Sequence, residues 1–458
     1  MAATDLAQSS IVDRYRDLTP GSAALAQQAA ELFPSGVTHD SRHLEPYGPY
    51  IERALGALKW DVDGNEYIDY FGGHGALLLG HAHPEVTAAI AAASANGTHF
   101  AASHAAEVKW AETVTRLVPS AERVRFTSSG SEANAMAIRI ARASTGRHKV
   151  IRFRGNFHGW LDEFTTGYDS HFDGTAPIGI TDGVAAGTVL CDSGNIDQVR
   201  SVLRSDSDVA AVILEPLGGS TGMMPISTAF LESLRELTAR HDVVLIFDEV
   251  VTGFRITRGG VQGFTGVVPD LTSLAKILAG GMPGGAVVGK AELLEWLDFG
   301  ATASQNREKI PHPGTYNANP ISATAGATAL AVIETTDAND YTARLGARLR
   351  EALTDVLVEL QVPWGVYGEH SAVILFTNPA NRALSPTDFD ATRCEPSELK
   401  VKSAELMRQL KLSMLANGVD LSPWPGAMVS SAHDESHVAR TADAFRESLL
   451  MLRHEQLV

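Results

Sequence analysis

Between about residues 105 and 330, short apolar runs alternate with helix-patterned segments, and no other feature of this 458-residue chain limits its fold so strongly. The runs VRFTSS, HKVIRF, DVAAVILEPL and HDVVLIFDEV are separated by segments such as EANAMAIRIARAS and AFLESLRELTARH. Strands that are apolar almost throughout are buried on both faces, which a parallel sheet with crossover helices achieves. An α/β fold is therefore expected, with a large, mainly parallel-sheet domain over 105–334. Residues 1–55 combine a candidate helix (Ala23 to Leu32) with a loop rich in Pro, Gly, His and Tyr, and read as an N-terminal arm rather than a core. Residues 56–104 open with WDVDGNEYIDYF, which alternates apolar and polar residues around Asp63-Gly64 in a hairpin pattern, and form the start of a smaller lobe and its crossover. Residues 335–458 change to amphipathic helices around the strand SAVILFT, a small C-terminal α+β domain. The stretch AGGMPGGAVVG, with five glycines, reads as a flexible or tightly turning loop.

The 54 acidic against 37 basic side chains give a formal charge of −17, which repels nucleic-acid phosphates and anionic lipid. Neither nucleic acid nor a membrane is an expected partner, and no run of about 18 apolar residues occurs. The N-terminal stretch places acids and arginines where a secretory signal needs apolar residues, so a cytoplasmic location is the default expectation. Cys191 and Cys394 match neither a disulfide framework nor zinc spacing and read as reduced thiols. His74, His81 and His83 lack the helical spacing of a metal motif, so no metal is expected.

Three segments carry chemistry. FTSSGSEANAMAIRIAR reads as a strand ending in a Ser/Gly turn that opens a helix, which aims backbone N–H groups at one point and suits a phosphate; a plain structural cap is the alternative. HDVVLIFDEVVTGFR is a buried strand that ends in Asp248 and Glu249, where open α/β sheets place ligands. Lys276 follows 28 residues after Asp248 in an otherwise apolar stretch, surroundings that lower an ammonium pKa as a Schiff-base nucleophile requires; alone it reads as a snorkelling surface lysine, and the combination with the other segments reverses that reading. Pyridoxal 5'-phosphate (PLP) needs a phosphate cradle, an acid for the pyridinium nitrogen, an aldehyde-trapping lysine and apolar contact on the ring faces. Ser129, Gly130 and Ser131, then Asp248, Lys276 and Phe157, are candidates for those four needs.

At these residues the chain resembles the class III (ω-type) aminotransferases of PLP fold type I, in the branch around glutamate-1-semialdehyde 2,1-aminomutase. The matching strings are YIDYFGGHGALLLGHAHPEV, SSGSEANAMAIRIAR, NFHGW, LEPLGG, FDEVVTGFR, LAKILAGGMPGGAVVG and GTYNANP. The resemblance implies a PLP enzyme with Lys276 as Schiff-base residue, Val250 on the ring face opposite Phe157, His158 beside the cofactor and Glu215 in the surrounding polar network. It also implies a homodimer with shared active sites, in which Thr315 reaches the phosphate bound by the neighbouring subunit. Bland readings stand beside these: Val250 as strand core, His158 as a satisfied buried histidine, Thr315 as a turn cap.

On the substrate side the chain departs from the aminomutase pattern. Ser220 stands where Asn is usual after EPxxG, His74 where Trp is usual, and SPWPGAMVSS lacks the glutamate of the corresponding C-terminal stretch. Arg42 matches the substrate-side arginine of the branch and suits a carboxylate, with a surface arginine as the alternative. The turn GGHGALLLGH and the stretch GYDSHFDG are also similar to D-phenylglycine-type aminotransferases. Transfer of an amino group from an amino acid, of D- or β-type included, to a 2-oxo acid is therefore expected. An aminomutase, a PLP racemase on the same fold and a non-catalytic PLP-fold binding protein are the other readings, and intact Lys276 and Asp248 count against the last.

Overall fold

The computed structural model describes residues 9–458, with the side chains of residues 220, 221, 396 and 397 outside the description. Two compact units emerge, one ending its first segment at His74 and adding Leu78–His83 and Asp340–Val458, the other comprising Gly75–Leu77 and Pro84–Asn339.

The larger unit is built on a seven-stranded sheet. In chain order its strands are β1 (Arg123–Thr127), β2 (Lys149–Phe153), β3 (Thr188–Cys191), β4 (Val209–Leu214), β5 (Val244–Asp248), β6 (Leu271–Ala275) and β7 (Gly285–Gly289). Their spatial order is β1-β7-β6-β5-β4-β2-β3. Only β7 runs against its neighbours, pairing antiparallel with both β1 and β6. Every residue of β4 and β5 is buried, as a strand covered on both faces requires. Helix α1 (Gly130–Thr145) packs Ala133, Met136, Ala137, Ile140 and Ala141 inward at helical spacing, is capped by Ser129 accepting from the Glu132 N–H, and stops at left-handed Gly146.

The stretch AGGMPGGAVVG is half as expected: residues 280–284 turn tightly, with Gly280 and Gly281 at φ of +60° and +87°, whereas 285–289 form β7 rather than loop. Gly285 and Gly289 begin and end a fully buried strand because neighbouring chains leave no room for side chains: a Cβ would meet the Ser129 carbonyl oxygen at 2.4 Å from the first and the Asp270 carbonyl oxygen at 2.3 Å from the second. Close approach of backbones, not flexibility, explains those glycines.

The smaller unit holds the expected hairpin, Leu58–Asp61 against Glu66–Asp69 with Leu58 opposite Ile68. Val419–Asp420 adds a parallel neighbour to the second of those strands. Helix Ser10–Leu18, in the segment read as an arm, puts Ile11, Val12 and Tyr15 into the core of this unit with Tyr70, Leu349, Leu412 and Phe445. Its three buried apolar residues fall on one face within about a turn and a half, a stripe too short to stand out from sequence alone. Among the described residues no helix is long and apolar enough to cross a membrane.

Candidate active site

Every cofactor-side candidate except Thr315 lies on or directly after the carboxyl end of a parallel strand or of β1. Ser129, Gly130 and Ser131 follow β1, Phe157 and His158 follow β2, Glu215 follows β4, Asp248 ends β5 with Val250 just beyond, and Lys276 follows β6. In an open α/β sheet the carboxyl ends of the strands form the ligand-binding edge.

Asp248 is buried and gathers three donors. Nδ1 of His158 lies 2.6 Å and Nδ2 of Asn134 2.8 Å from its Oδ2, and the Val250 N–H donates to Oδ1 at 3.1 Å. Asn134 also donates to the His158 carbonyl at 3.0 Å, tying α1 to the loop after β2. Burial pulls the His158 imidazole pKa down, against the pull of Asp248 and with the help of the Arg152 cation. Its Nε2 is buried without a hydrogen-bond partner among the described residues. The neighbouring acid serves the scaffold instead. Glu249 is buried, accepts from Thr252, from the Val261 and Gln262 N–H groups and from the Gln262 side chain, and braces the following loop.

Lys276 opens a 3-10 turn with φ of +56°, a left-handed backbone that a non-glycine residue rarely adopts. Burial lowers its ammonium pKa to about 8, opposed by the carboxylates of Asp248 and Glu215 and reinforced by Arg255. An amine near 8 is partly neutral at physiological pH and so nucleophilic. Glu215 has a second role, for its Oε1 accepts from the Phe157 N–H at 2.8 Å while its own N–H donates to Asn156 Oδ1 at 2.9 Å. This reciprocal clasp fixes the loop that presents Phe157, whose ring is 44% exposed and tilts on Tyr168 at 4.8 Å between centroids. Gly130 backs onto Val250 and Ala275, and Ser131 fills the space a Cβ on Gly159 would need.

Thr315 belongs to the same unit, exposed, with its carbonyl accepting from His99 Nε2 at 2.8 Å. Its loop reaches the turn after β1 through Asn317, whose Oδ1 accepts from Ser128 at 3.2 Å. Arg42 and His74 lie in the smaller unit. There the Arg42 guanidinium donates to Thr38 Oγ1 at 2.9 Å. His39 caps the turn containing Arg42, and its ring lies 4.7 Å from that of His74. His74 also packs on Phe71 at 4.4 Å, and Phe71 meets Trp424 of the SPWPGAM stretch edge-on at 5.9 Å. Three features singled out separately in the sequence are thus joined within one unit. The Ser220 side chain lies outside those described. Sequence reasoning missed Asn134 and Asn156; Asn134 was detectable as a polar residue beside Ala133, Ala137 and Ala141 on the buried face of α1.

A lysine, a buried carboxylate and a Ser/Gly helix start along the carboxyl edge of one sheet define an α/β site of PLP fold type I. The set suits PLP physically: a cradle closed to a Cβ at Gly130, an amine of lowered pKa, and a carboxylate braced by donors. Residues 41–369 match the Aminotransferase class-III family. Glutamate-1-semialdehyde 2,1-aminomutase 2 of Brevibacillus brevis is 36% identical over 440 residues, covering 93% of this chain and 98% of its own. An omega-transaminase from Sphaerobacter thermophilus superposes with a TM-score of 0.85 at 32% identity, covering 98% of this chain and 100% of its own. A transaminase with PLP bound gives the same TM-score and identity over 96% of this chain and 99% of its own. The chain belongs to the class III aminotransferases and is a PLP-dependent enzyme of the aminotransferase and aminomutase type, a family whose substrates are amino acids and keto acids.

Proposed function

We propose that the enzyme moves an amino group between molecules, from an amino acid of α or β type to a 2-oxo acid. In this reading Lys276 would hold PLP through its ε-amine and, as a free amine, would take up and return the proton, as base and then acid. Bound PLP would supply an electron sink for the pair left when the proton on the substrate's amine-bearing carbon departs. Asp248 faces the pyridine nitrogen, Ser129, Gly130 and Ser131 bind phosphate, and Phe157 and Val250 cover the two ring faces. Glu215 sets the Phe157 loop, and His158 sets Asp248. Thr315 serves the phosphate of a partner subunit in a homodimer, and Arg42, His74 and Ser220 contact substrate.

The observation that carries intermolecular transfer is the cluster of Arg42, His39, His74, Phe71 and Trp424. A mutase must retain one intermediate until the same molecule takes the amine back. The cofactor-side strings keep the family pattern, whereas two of the features that depart from the aminomutase pattern, His74 and the stretch around Trp424, both pack on Phe71. The test incubates the purified PLP form with α- and β-amino acids of both hands, separates the product and adds 2-oxoglutarate or pyruvate. Release of a keto product followed by amination of the acceptor is expected. Efficient conversion of glutamate-1-semialdehyde to 5-aminolevulinate without any acceptor would overturn the reading in favour of the mutase to which the chain is 36% identical.

A further inference from the structure

Asp69 and Asp420 end two parallel strands of the smaller unit and lie side by side in register. Both are buried, and like charges placed in this way repel. Lys59, buried on the other strand of the hairpin, bridges them: its Nζ is 2.9 Å from Asp69 Oδ1 and also pairs with Asp420 Oδ2. Lys411 pairs with Asp420 Oδ1 and donates to the Leu421 carbonyl, and His81 Nε2 lies 2.6 Å from Asp69 Oδ2. Taking such charges out of water is expensive, and apolar residues of similar volume commonly give a core at least as stable. The network therefore calls for a role besides stability.

Both acids stand at the roots of segments that depart from the aminomutase pattern. The Asp69 carboxylate accepts from the Phe71 N–H at 3.1 Å and the Gly72 N–H at 3.2 Å, so that each of its oxygens holds two donors. Burial opposes its ionisation, but Lys59 and His81 outweigh that and hold the carboxyl well below the usual carboxylate range; an ionised carboxylate only accepts, so His81 donates from Nε2. The turn rooted there runs through Gly72, Gly73 and His74 at φ of +50°, +58° and +58°. A residue such as His74 persists in that left-handed region only where its surroundings hold it. On the neighbouring strand the Asp420 carbonyl accepts from the Tyr70 N–H at 3.0 Å, and the chain continues through Leu421 to Trp424, whose ring meets Phe71.

We propose that the Asp69–Lys59–Asp420 bridge sets the Phe71–His74 turn against the Trp424 stretch, and that Asp69, which holds the backbone of the turn, is the positioning residue that determines which amino acid the enzyme accepts. The inference rests on the reading of His74 as a substrate contact.

The test uses holoenzyme and follows single-turnover conversion of bound PLP to its amine form by amino acids of both hands, selectivity being the ratio of rates for the better and the poorer hand at low concentration. Asp69→Asn turns an amide N–H toward donors, and should lower that ratio about tenfold with PLP affinity unchanged. In a His74→Ala background the same substitution should have little effect. With fluorotryptophan incorporated, the fluorine signal of Trp424, assigned by its loss in Trp424→Phe, should shift in Asp69→Asn. An unmoved signal overturns the inference, and so does a loss of rate that falls equally on both hands or persists undiminished without His74, as a merely structural residue would give. If Asp69→Asn does not fold, His81 decides: His81→Ala should narrow the selectivity and His81→Gln, which keeps a side-chain donor, should restore it, whereas equal selectivity in the two overturns the inference. If His74→Ala alone leaves selectivity intact, the reading of His74 as a substrate contact fails, and the fluorine signal judges the positioning by Asp69.

Discussion

Gly130 stands directly against Val250: a Cβ on the glycine would lie 2.8 and 2.9 Å from the two methyl carbons of the valine. Val250 in turn is held by its N–H on Asp248. Gly130→Ala should therefore push Val250 out of place, costing about 1–3 kcal/mol of overpacking and weakening PLP binding. Adding Val250→Ala should restore part of that affinity, a coupling readable in a double-mutant cycle of PLP dissociation constants. Strict additivity would mean that the two residues do not press on one another.

Lys276 makes a prediction with a definite pH sign. Its neutral, nucleophilic form grows as pH rises through about 8. The rate of covalent PLP capture by apoenzyme should climb about tenfold per pH unit below that point and level off above it, followed by absorbance after rapid mixing. Because the folded-state value is depressed below that of an unfolded lysine, apoenzyme stability should rise from about pH 8 toward 10.5. Lys276→Ala should fold yet give no borohydride-reducible bond to PLP, and a reducible bond at another lysine would end the assignment.

The parallel strands and the loops after them were legible because an apolar run of five or six residues, bounded by turn residues, has few other readings. Asp248 and Lys276 were legible for a related reason, as charged groups at the ends of such runs. β7 was not, since its glycines record contacts with Ser129 and Asp270, residues that sequence order does not place beside them. The helix at Ser10–Leu18 escaped notice because its burial depends on partners such as Leu412 and Phe445, at the other end of the chain. Asn134 and Arg152 sit within recognisable segments, but only the fold turns them toward Asp248 and Phe164.

For Thr315, service to a partner's phosphate predicts that PLP affinity depends on association. Thr315→Ala should weaken PLP binding by about tenfold, the worth of one hydrogen bond to a charged group, without lowering the thermal midpoint of apoenzyme. Equilibrium binding at protein concentrations spanning dissociation checks it, and a fully active monomer would refute the shared site.

Arg42 should act on substrate rather than cofactor. Arg42→Ala is expected to raise KM for the amino acid by roughly ten- to a hundredfold, as loss of a charge-assisted carboxylate contact does, with PLP affinity nearly unchanged. Steady-state kinetics and PLP titration separate the two, and equal use of a decarboxylated amine by the wild type would give Arg42 another role.

The lone reversed strand has a consequence for how this protein comes into being. β1, which leads into the Ser129–Ser131 turn, borders the sheet, and among the described residues its one strand neighbour is β7, from a part of the chain roughly 160 residues further on. Until that long loop closes, the Ser129–Ser131 turn proposed for phosphate has no strand beside it. PLP that binds only the closed arrangement should therefore bind late in refolding and then stabilise the finished sheet by mass action, which absorbance of the bound cofactor followed beside far-UV circular dichroism would read.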